Sequence, residues 1–240
     1  GAGRVGSMLA NYLLHDEKIS ELVLVDIVED KLAGTIKDLS DAFPEFADKL
    51  TSGGYSEASN SDVIVIVAGA PRTANTATRT DLLGTNVKIY SDFIKKISID
   101  PKTVLINVSN PVECLSYYIL KETEHDPKKV IGFGNILDSE RLRLIIAKKL
   151  SVHPESIECL VIGEHGEEMI PVFSNCRVNG KQLSDFPFDQ NEINQELRRR
   201  GKDIISSTGG TQFGPARHIY SLIRTIINDE KKTLPISFYV

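Results

Sequence analysis

Along the first 150 residues, short runs of consecutive apolar residues alternate with longer stretches whose apolar positions recur every three to four residues. That alternation signals βαβ units and a parallel sheet. Glu21 to Asp26 (E-L-V-L-V-D) reads as a buried strand, and a helix is predicted from about Lys31 to Phe43. Val63 to Ala68 (V-I-V-I-V-A) is apolar throughout, as expected of a strand covered on both faces. A long helix over about Thr80–Ser98 leads to a strand at Thr103–Val108, then a helix over about Pro111–Glu122. A short strand at Val130–Phe133 and a helix at Ile136–Leu150 complete this part. Beyond it the pattern changes. Two strands are predicted at Glu158–Ile162 and Met169–Val178, with Asn179-Gly180 as a hairpin turn. Two helices follow, over about Gln190–Ser207 and Pro215–Asn228.

The expected fold class is therefore α/β: a Rossmann doubly wound parallel sheet followed by a mixed α+β domain. The boundary is placed near Gly134, giving domains of residues 1–134 and 135–240. Both ends read as trimmed from a longer protein. Gly1 already opens a glycine-rich turn with no strand before it, and Pro235 to Val240 reads as a strand in mid-course.

Composition narrows the partners. The chain has 240 residues, 41% hydrophobic and 25% charged, as in ordinary soluble domains. A net charge of -5 and a pI near 5.6 argue against nucleic-acid binding, which needs a basic face. The one strongly basic run, Arg198-Arg199-Arg200, stands among Glu192, Glu196 and Asp203, and reads as a solvated, ion-paired helix face. No apolar run reaches the roughly 18 residues that span a membrane, so no membrane partner is expected. Cys114, Cys159 and Cys176 lack metal-like spacing and are expected to be reduced core residues of a cytoplasmic protein, with no metal site.

Gly1-Ala2-Gly3-Arg4-Val5-Gly6 matches G-x-G-x-x-G at the opening of a helix. Its glycines permit a tight turn, close approach of backbone to a pyrophosphate, and close helix–strand packing. The helix N-terminus then favours phosphate charge. Asp26 follows 20 residues after Gly6, at a strand end. A carboxylate there accepts hydrogen bonds from adenosine ribose hydroxyls and repels a 2′-phosphate, which favours NAD over NADP.

Four further stretches carry polar groups to strand and helix ends. Ile162-Gly163-Glu164-His165-Gly166 places a histidine between glycines just beyond an apolar strand; taken by itself, such a residue is more often structural. Asp138 and Arg141 in L-D-S-E-R lie three apart on one helical face, as a local ion pair or as paired site groups. Asn110 ends a central strand, where ligands bind in open α/β sheets, or belongs to a plain turn before Pro111. The Asn110–Pro111 bond is a candidate for cis geometry. Arg72 and Arg79 stand on a small, polar segment between a strand end and a long helix, a segment suited to closing over a site.

These stretches together resemble the L-lactate/L-malate dehydrogenase family, especially its archaeal malate dehydrogenase-like members. The matching stretches are G-A-G-R-V-G, Asp26, V-A-G-A-P-R, T-R-T-D-L-L followed by Asn86, N-V-S-N-P-V, L-D-S-E-R, I-G-E-H-G-E-E-M-I-P and G-G-T-Q-F-G-P-A, in the family's order over almost the whole chain. The resemblance implies that His165 is the general acid/base and Asp138 the carboxylate that orients it. It implies that Arg141 grips the substrate C1 carboxylate and that Arg79 and Asn110 act on the reacting oxygen. Thr211 would line the substrate pocket. The cofactor NAD would be held by Gly1, Gly3, Arg4, Val5, Gly6, Asp26, Ala68, Gly69, Asn86, Val108 and Asn110. The implied partners are a small 2-hydroxy or 2-oxo acid and further copies of the chain, as homotetramer or homodimer.

Arg72 bears on which acid is used. In the malate enzymes of the family, an arginine after A-G-x-x binds the second carboxylate of the substrate, whereas a guanidinium facing pyruvate's methyl group would stand unpaired. The expected reaction is therefore malate/oxaloacetate interconversion. The stretch between Arg72 and Arg79 is one residue longer than usual and lacks Pro-Gly. A shifted register would put Thr73 in the discriminating position and favour lactate or another 2-oxo acid. A non-catalytic NAD-binding redox sensor is the alternative of a different class; it would need only the Gly1–Asp26 half.

Overall fold

The computed structural model describes residues 1–70 and 82–240. Its first part runs α1 (Arg4–Leu14), β1 (Leu22–Leu24), α2 (Glu29–Ala42), β2 (Leu50–Ser52), a one-turn α3 (Tyr55–Ala58), β3 (Val63–Ile66), α4 (Leu83–Ile94), β4 (Val104–Asn107), α5 (Val112–Thr123), β5 (Val130–Gly132) and α6 (Asn135–Leu150). All pairings among β1 to β5 are parallel, with β1 beside β2 and a second ladder in the order β3–β4–β5. Residues 1 and 2 stand between the two ladders. Ala2 N–H donates to Asp26 just past β1 at 2.7 Å, and a Cβ on Gly1 would lie 3.4 Å from the backbone of Val67 and Ala68 just past β3. The glycine-rich turn is thereby set at the carboxyl ends of the strands.

Period-two alternation explains how β4 is buried on both faces. Leu105 packs into a core with Tyr90 of α4 and Leu115 and Ile119 of α5. Ile106 points the other way, into a core with Leu9 and Leu13 of α1 and Ile219 and Ile223 from late in the chain. This is the doubly wound α/β arrangement read from the apolar pattern.

The second part is mixed. It contains β6 (Ile157–Glu158), β7 (Val161–Ile162), β8 (Ile170–Pro171), β9 (Arg177–Val178), β10 (Lys181–Gln182), α7 (Gln190–Thr208) and α8 (Phe213–Ile227). Here the expectation of two five- to ten-residue strands is corrected. Each is broken into two-residue pieces: at Cys159 and Leu160 the first passes from pairing with β9 to pairing with β8, and a 3-10 turn at Phe173–Asn175 splits the second. β7 pairs with β8, and β9 pairs with both β6 and β10, all antiparallel. Asn179 and Gly180 join β9 to β10 with φ of 49° and 76°, the two positive values of a type I′ hairpin turn. Asp189 caps α7 by accepting from the amides of Asn191 and Glu192. The C-terminal stretch joins the sheet at Ser237, which exchanges two backbone hydrogen bonds with Gly132, while Leu234 and Ile236 pack against the core and Tyr239 lies against Tyr117 of α5.

α6 belongs to both cores. Ile136 and Leu137 at its start pack with α1 and α8, while Leu142, Ile145 and Ile146 pack with Val161, Val178 and Leu197. α8 returns to the first helix. Tyr220 Oη and Arg224 Nη1 donate to the buried Asp16 carboxylate at 3.1 and 3.0 Å, and the Tyr12 and Tyr220 rings stack at 5.6 Å. Burial works against charge on Asp16, but hydrogen bonds from Lys18 N–H, Tyr220 and Arg224 outweigh it and hold the carboxyl below its ordinary range.

The cysteine expectation holds for two residues of three. All three thiols are free. Burial raises Cys176 to about 11 and Cys159 to about 12. Cys114 is exposed, because its position in α5 falls on the solvent face, between the buried Val112 and Leu115.

Candidate active site

α6 begins immediately after Gly134, and its first turn carries Asp138, where the helix N-terminus favours a carboxylate. Asp138 is fully buried and its two oxygens diverge to different partners. Oδ2 lies 2.5 Å from His165 Nδ1, and Oδ1 accepts from Arg141 Nη1 at 3.2 Å. An ionised carboxylate only accepts, so Nδ1 carries the proton of this contact and Nε2 is left with the lone pair. His165 reaches Asp138 from the 163–169 loop because Gly134 lets it come close. A Cβ at Gly134 would sit 2.4 Å from the Cβ of His165. The three residues that L-D-S-E-R and G-E-H-G brought forward are thus one hydrogen-bonded chain, His165–Asp138–Arg141.

Arg141 also borders a cavity of about 450 Å³ between α6, α7 and the start of α8, and Thr211 and Arg4 line the same cavity. His165 does not line it. Arg4 extends from the glycine turn to this cavity, within 3.5 Å of where a Cβ on Gly209 would lie. One arginine therefore spans from the predicted cofactor half to the predicted substrate half.

The cofactor residues form a second group. Gly6 permits the turn to close, since a Cβ there would meet Gly1 O at 1.9 Å. Gly3 and Val5 lie in the turn and the first turn of α1. Asp26 accepts from Ala2 N–H and, at 3.0 Å, from Val28 N–H. Burial opposes the charge, and those two amides overcome it, so the carboxyl is held low. An ionised Asp26 beside a glycine turn is what a ribose diol and a pyrophosphate require, so the residues present fit NAD.

A third group stands at the carboxyl ends of β3 and β4. Ala68 O accepts from Ser109 Oγ at 2.7 Å, and Val108 N–H donates to Ile66 O. A Cβ on Gly69 would touch Asn86 and Ser109 at 3.3 Å. Asn86 is buried and spends its amide on backbone: Oδ1 accepts from Ala70 N–H and Nδ2 donates to Asn110 O. The Asn110–Pro111 bond is cis. Asn110 Oδ1 is buried with no hydrogen-bond partner among the described residues, which suits an acceptor reserved for a ligand. Arg72 and Arg79, with Thr73, lie outside the described residues.

Reasoning from sequence missed three supports. Buried Tyr90 donates to Asn107 Oδ1 at 2.6 Å, and Asn107 Nδ2 donates to Val112 O, which braces the turn holding Asn110. Glu113 accepts from the peptide N–H of His165 at 3.0 Å. Arg198 corrects the reading of a solvated basic face: it donates to Glu167 O, and at 3.2 Å to Met169 O, in the loop that follows His165. Only the acidic neighbours were visible along the helix, whereas its actual acceptors are carbonyls from another element. Arg200 does pair with Glu196, at 3.8 Å.

Residues 1–132 match the family of the lactate/malate dehydrogenase NAD-binding domain, and residues 136–240 match that of the lactate/malate dehydrogenase alpha/beta C-terminal domain. The chain is 37% identical to an L-lactate dehydrogenase of Lactobacillus delbrueckii subsp. bulgaricus, over 99% of this chain and 79% of that one. It is 34% identical to a malate dehydrogenase of Haloferax volcanii, over 98% of this chain and 78% of that one. The crystal structure of Cryptosporidium parvum malate dehydrogenase superposes with a TM-score of 0.91 at 31% identity, covering 100% of this chain and 80% of its own.

Proposed function

Because the chain belongs to the lactate/malate dehydrogenase family, and so is an NAD-dependent 2-hydroxy-acid dehydrogenase, we propose that it interconverts (S)-malate and oxaloacetate, with His165 as general acid/base. The observation that carries the catalytic reading is the His165–Asp138–Arg141 chain.

Its chemistry follows from the geometry. With Nδ1–H committed to Asp138, Nε2 is the ring atom that takes the C2 hydroxyl proton as malate is oxidised. The imidazolium so formed is stabilised by the adjacent carboxylate, and it returns the proton to the developing alkoxide in the reverse direction. Arg141 offers a planar fork to the substrate C1 carboxylate. Asn110, whose buried Oδ1 has no partner among the described residues, is assigned to the reacting oxygen on the family's pattern. The glycine turn and Asp26 would hold NAD, which when bound would supply the hydride acceptor for C2. Arg79 is assigned to the reacting carbonyl and Arg72 to the second carboxylate, both on the family's pattern.

The choice of acid rests on Arg72 in V-A-G-A-P-R. The longer stretch between Arg72 and Arg79 favours a second reading, reduction of pyruvate or another 2-oxo acid, if Thr73 takes the discriminating place. NADH oxidation with oxaloacetate and with pyruvate separates them: faster turnover of pyruvate would overturn the assignment of Arg72, and turnover of neither would sink the catalytic reading. His165→Asn should abolish turnover, with NADH binding near wild type by fluorescence titration. Surviving activity in that variant would remove His165 from the mechanism. Assembly as a homodimer or homotetramer in the cytoplasm completes the proposal. Among the described residues, no helix is long and apolar enough to cross a membrane.

A further inference from the structure

The 163–169 loop holds its histidine with little help from the sheet. Its flanking strands, β7 and β8, are two residues each, and the backbone hydrogen bond within the loop is the turn from Gly166 N–H to Glu164 O. The peptide N–H of His165 is taken instead by Glu113 Oε1, 52 residues away in α5. The same oxygen accepts from Ser237 Oγ at 2.8 Å, and Ser237 is locked to Gly132 of β5 by two backbone bonds. Glu113 therefore stands on a fixed base.

We infer that Glu113 is a positioning residue for the acid/base step, setting the distance between His165 and Asn110. Glu113 lies three residues after Asn110 and in the first turn of the helix that begins there. One side chain thereby joins the backbone of the proton carrier to the turn that presents the oxygen-binding amide. His165 is then fixed at three points: its N–H by Glu113, its Cβ against Gly134, and its Nδ1 by Asp138. Asp138 alone sets where Nδ1 rests, but the ring can pivot about that contact if the backbone shifts. A misplacement of about 1 Å in such an arrangement can cost on the order of 10²-fold in rate.

The inference rests on the catalytic reading above, and its test separates the two. Glu113→Met keeps bulk but removes the acceptor, whereas Glu113→Gln retains an acceptor oxygen. Using whichever of oxaloacetate and pyruvate the wild type reduces, Glu113→Met should lower kcat about 10- to 100-fold. KM for NADH and the thermal midpoint should change little, and deuterated NADH should give a larger isotope effect on kcat as the chemical step slows. Glu113→Gln should restore kcat to within about three-fold of wild type, since its amide oxygen still accepts from the His165 N–H, though without the carboxylate's charge. A Glu113→Met enzyme with wild-type kcat would overturn the inference, as would a Gln variant as impaired as the Met variant. Should Glu113→Met not fold, hydrogen exchange at the His165 amide of the NADH-loaded wild type decides. Protection is expected, and exchange as fast as at the exposed Glu164 amide overturns it. Turnover of neither acid by the wild type defeats the catalytic reading instead, and leaves the exchange measurement to judge the Glu113 contact.

Discussion

The two halves of the site hold their residues by different means. On the nucleotide side, the four-residue strands β3 and β4 end in step, and the groups just beyond these two are laced by neutral hydrogen bonds from Asn86, Asn107, Ser109 and Tyr90. On the acid/base side the strands are two residues long, and the His165 loop is held by ionisable side chains: Asp138, Glu113 and Arg198. Where regular sheet extends to the site, backbone geometry fixes position. Where it stops short, charge-assisted hydrogen bonds take over, because each is worth roughly twice a neutral one.

Substitutions on the two sides should accordingly separate. Asp138→Asn should have the largest effect, lowering kcat by about 10²- to 10⁴-fold, because an amide can donate to Nδ1 and hold the ring in the wrong tautomer. NADH affinity, measured by fluorescence, should stay near wild type; a parallel loss of binding would erase the division between the halves. Gly6→Ala is the converse. Its Cβ collides with Gly1 O, and an overpacking cost of about 1–3 kcal/mol should weaken NADH binding roughly 5- to 150-fold while His165 and Asp138 keep their contact. Calorimetric titration with NADH checks this, and unaltered affinity would remove the glycine turn from the cofactor site.

Arg198→Met should act more mildly, since it removes two carbonyl contacts from the loop but leaves Glu113 and Asp138 in place. A stability loss of about 1–2 kcal/mol in urea unfolding is expected, with kcat down a few-fold. A wild-type urea midpoint together with wild-type kcat would show that Arg198 is the solvated residue its neighbours in sequence suggest. The smallest effect belongs to Asp16, where charge also serves the nucleotide side. Its carboxyl is held below its unfolded value of 3.8, so the stability it adds is complete above that pH and is lost as pH falls through the lower folded value. Acid unfolding of Asp16→Asn should therefore show a smaller loss of stability below about pH 4 than the wild type.

The contrast also explains what could be read from the chain beforehand. Runs such as V-I-V-I-V and the glycine turn declared the doubly wound half, because burial on both faces and a tight turn each constrain residue type directly. In the second half, the Met169–Val178 run is apolar for the sake of a core that includes Met169, Cys176 and Val178, and not because it is one strand. Apolar content reported burial there and not extended pairing. Asp138 and Arg141 were legible because three-residue spacing on a helix implies adjacency. Glu113 and Arg198 were not, because their partners are backbone groups 52 and 31 residues away, and nothing in a local pattern marks so distant an acceptor or donor.

The placement of Cys114 has a practical consequence. Thiolate is the form that alkylates, and the thiols raised to about 11 and 12 hold almost none of it near neutrality. Cys114 is exposed and adjoins Glu113, so a maleimide fluorophore should attach there first, at the base of the His165 support. The native chain thus brings its own spectroscopic handle, with no engineered cysteine needed to follow how that helix responds when a dinucleotide arrives.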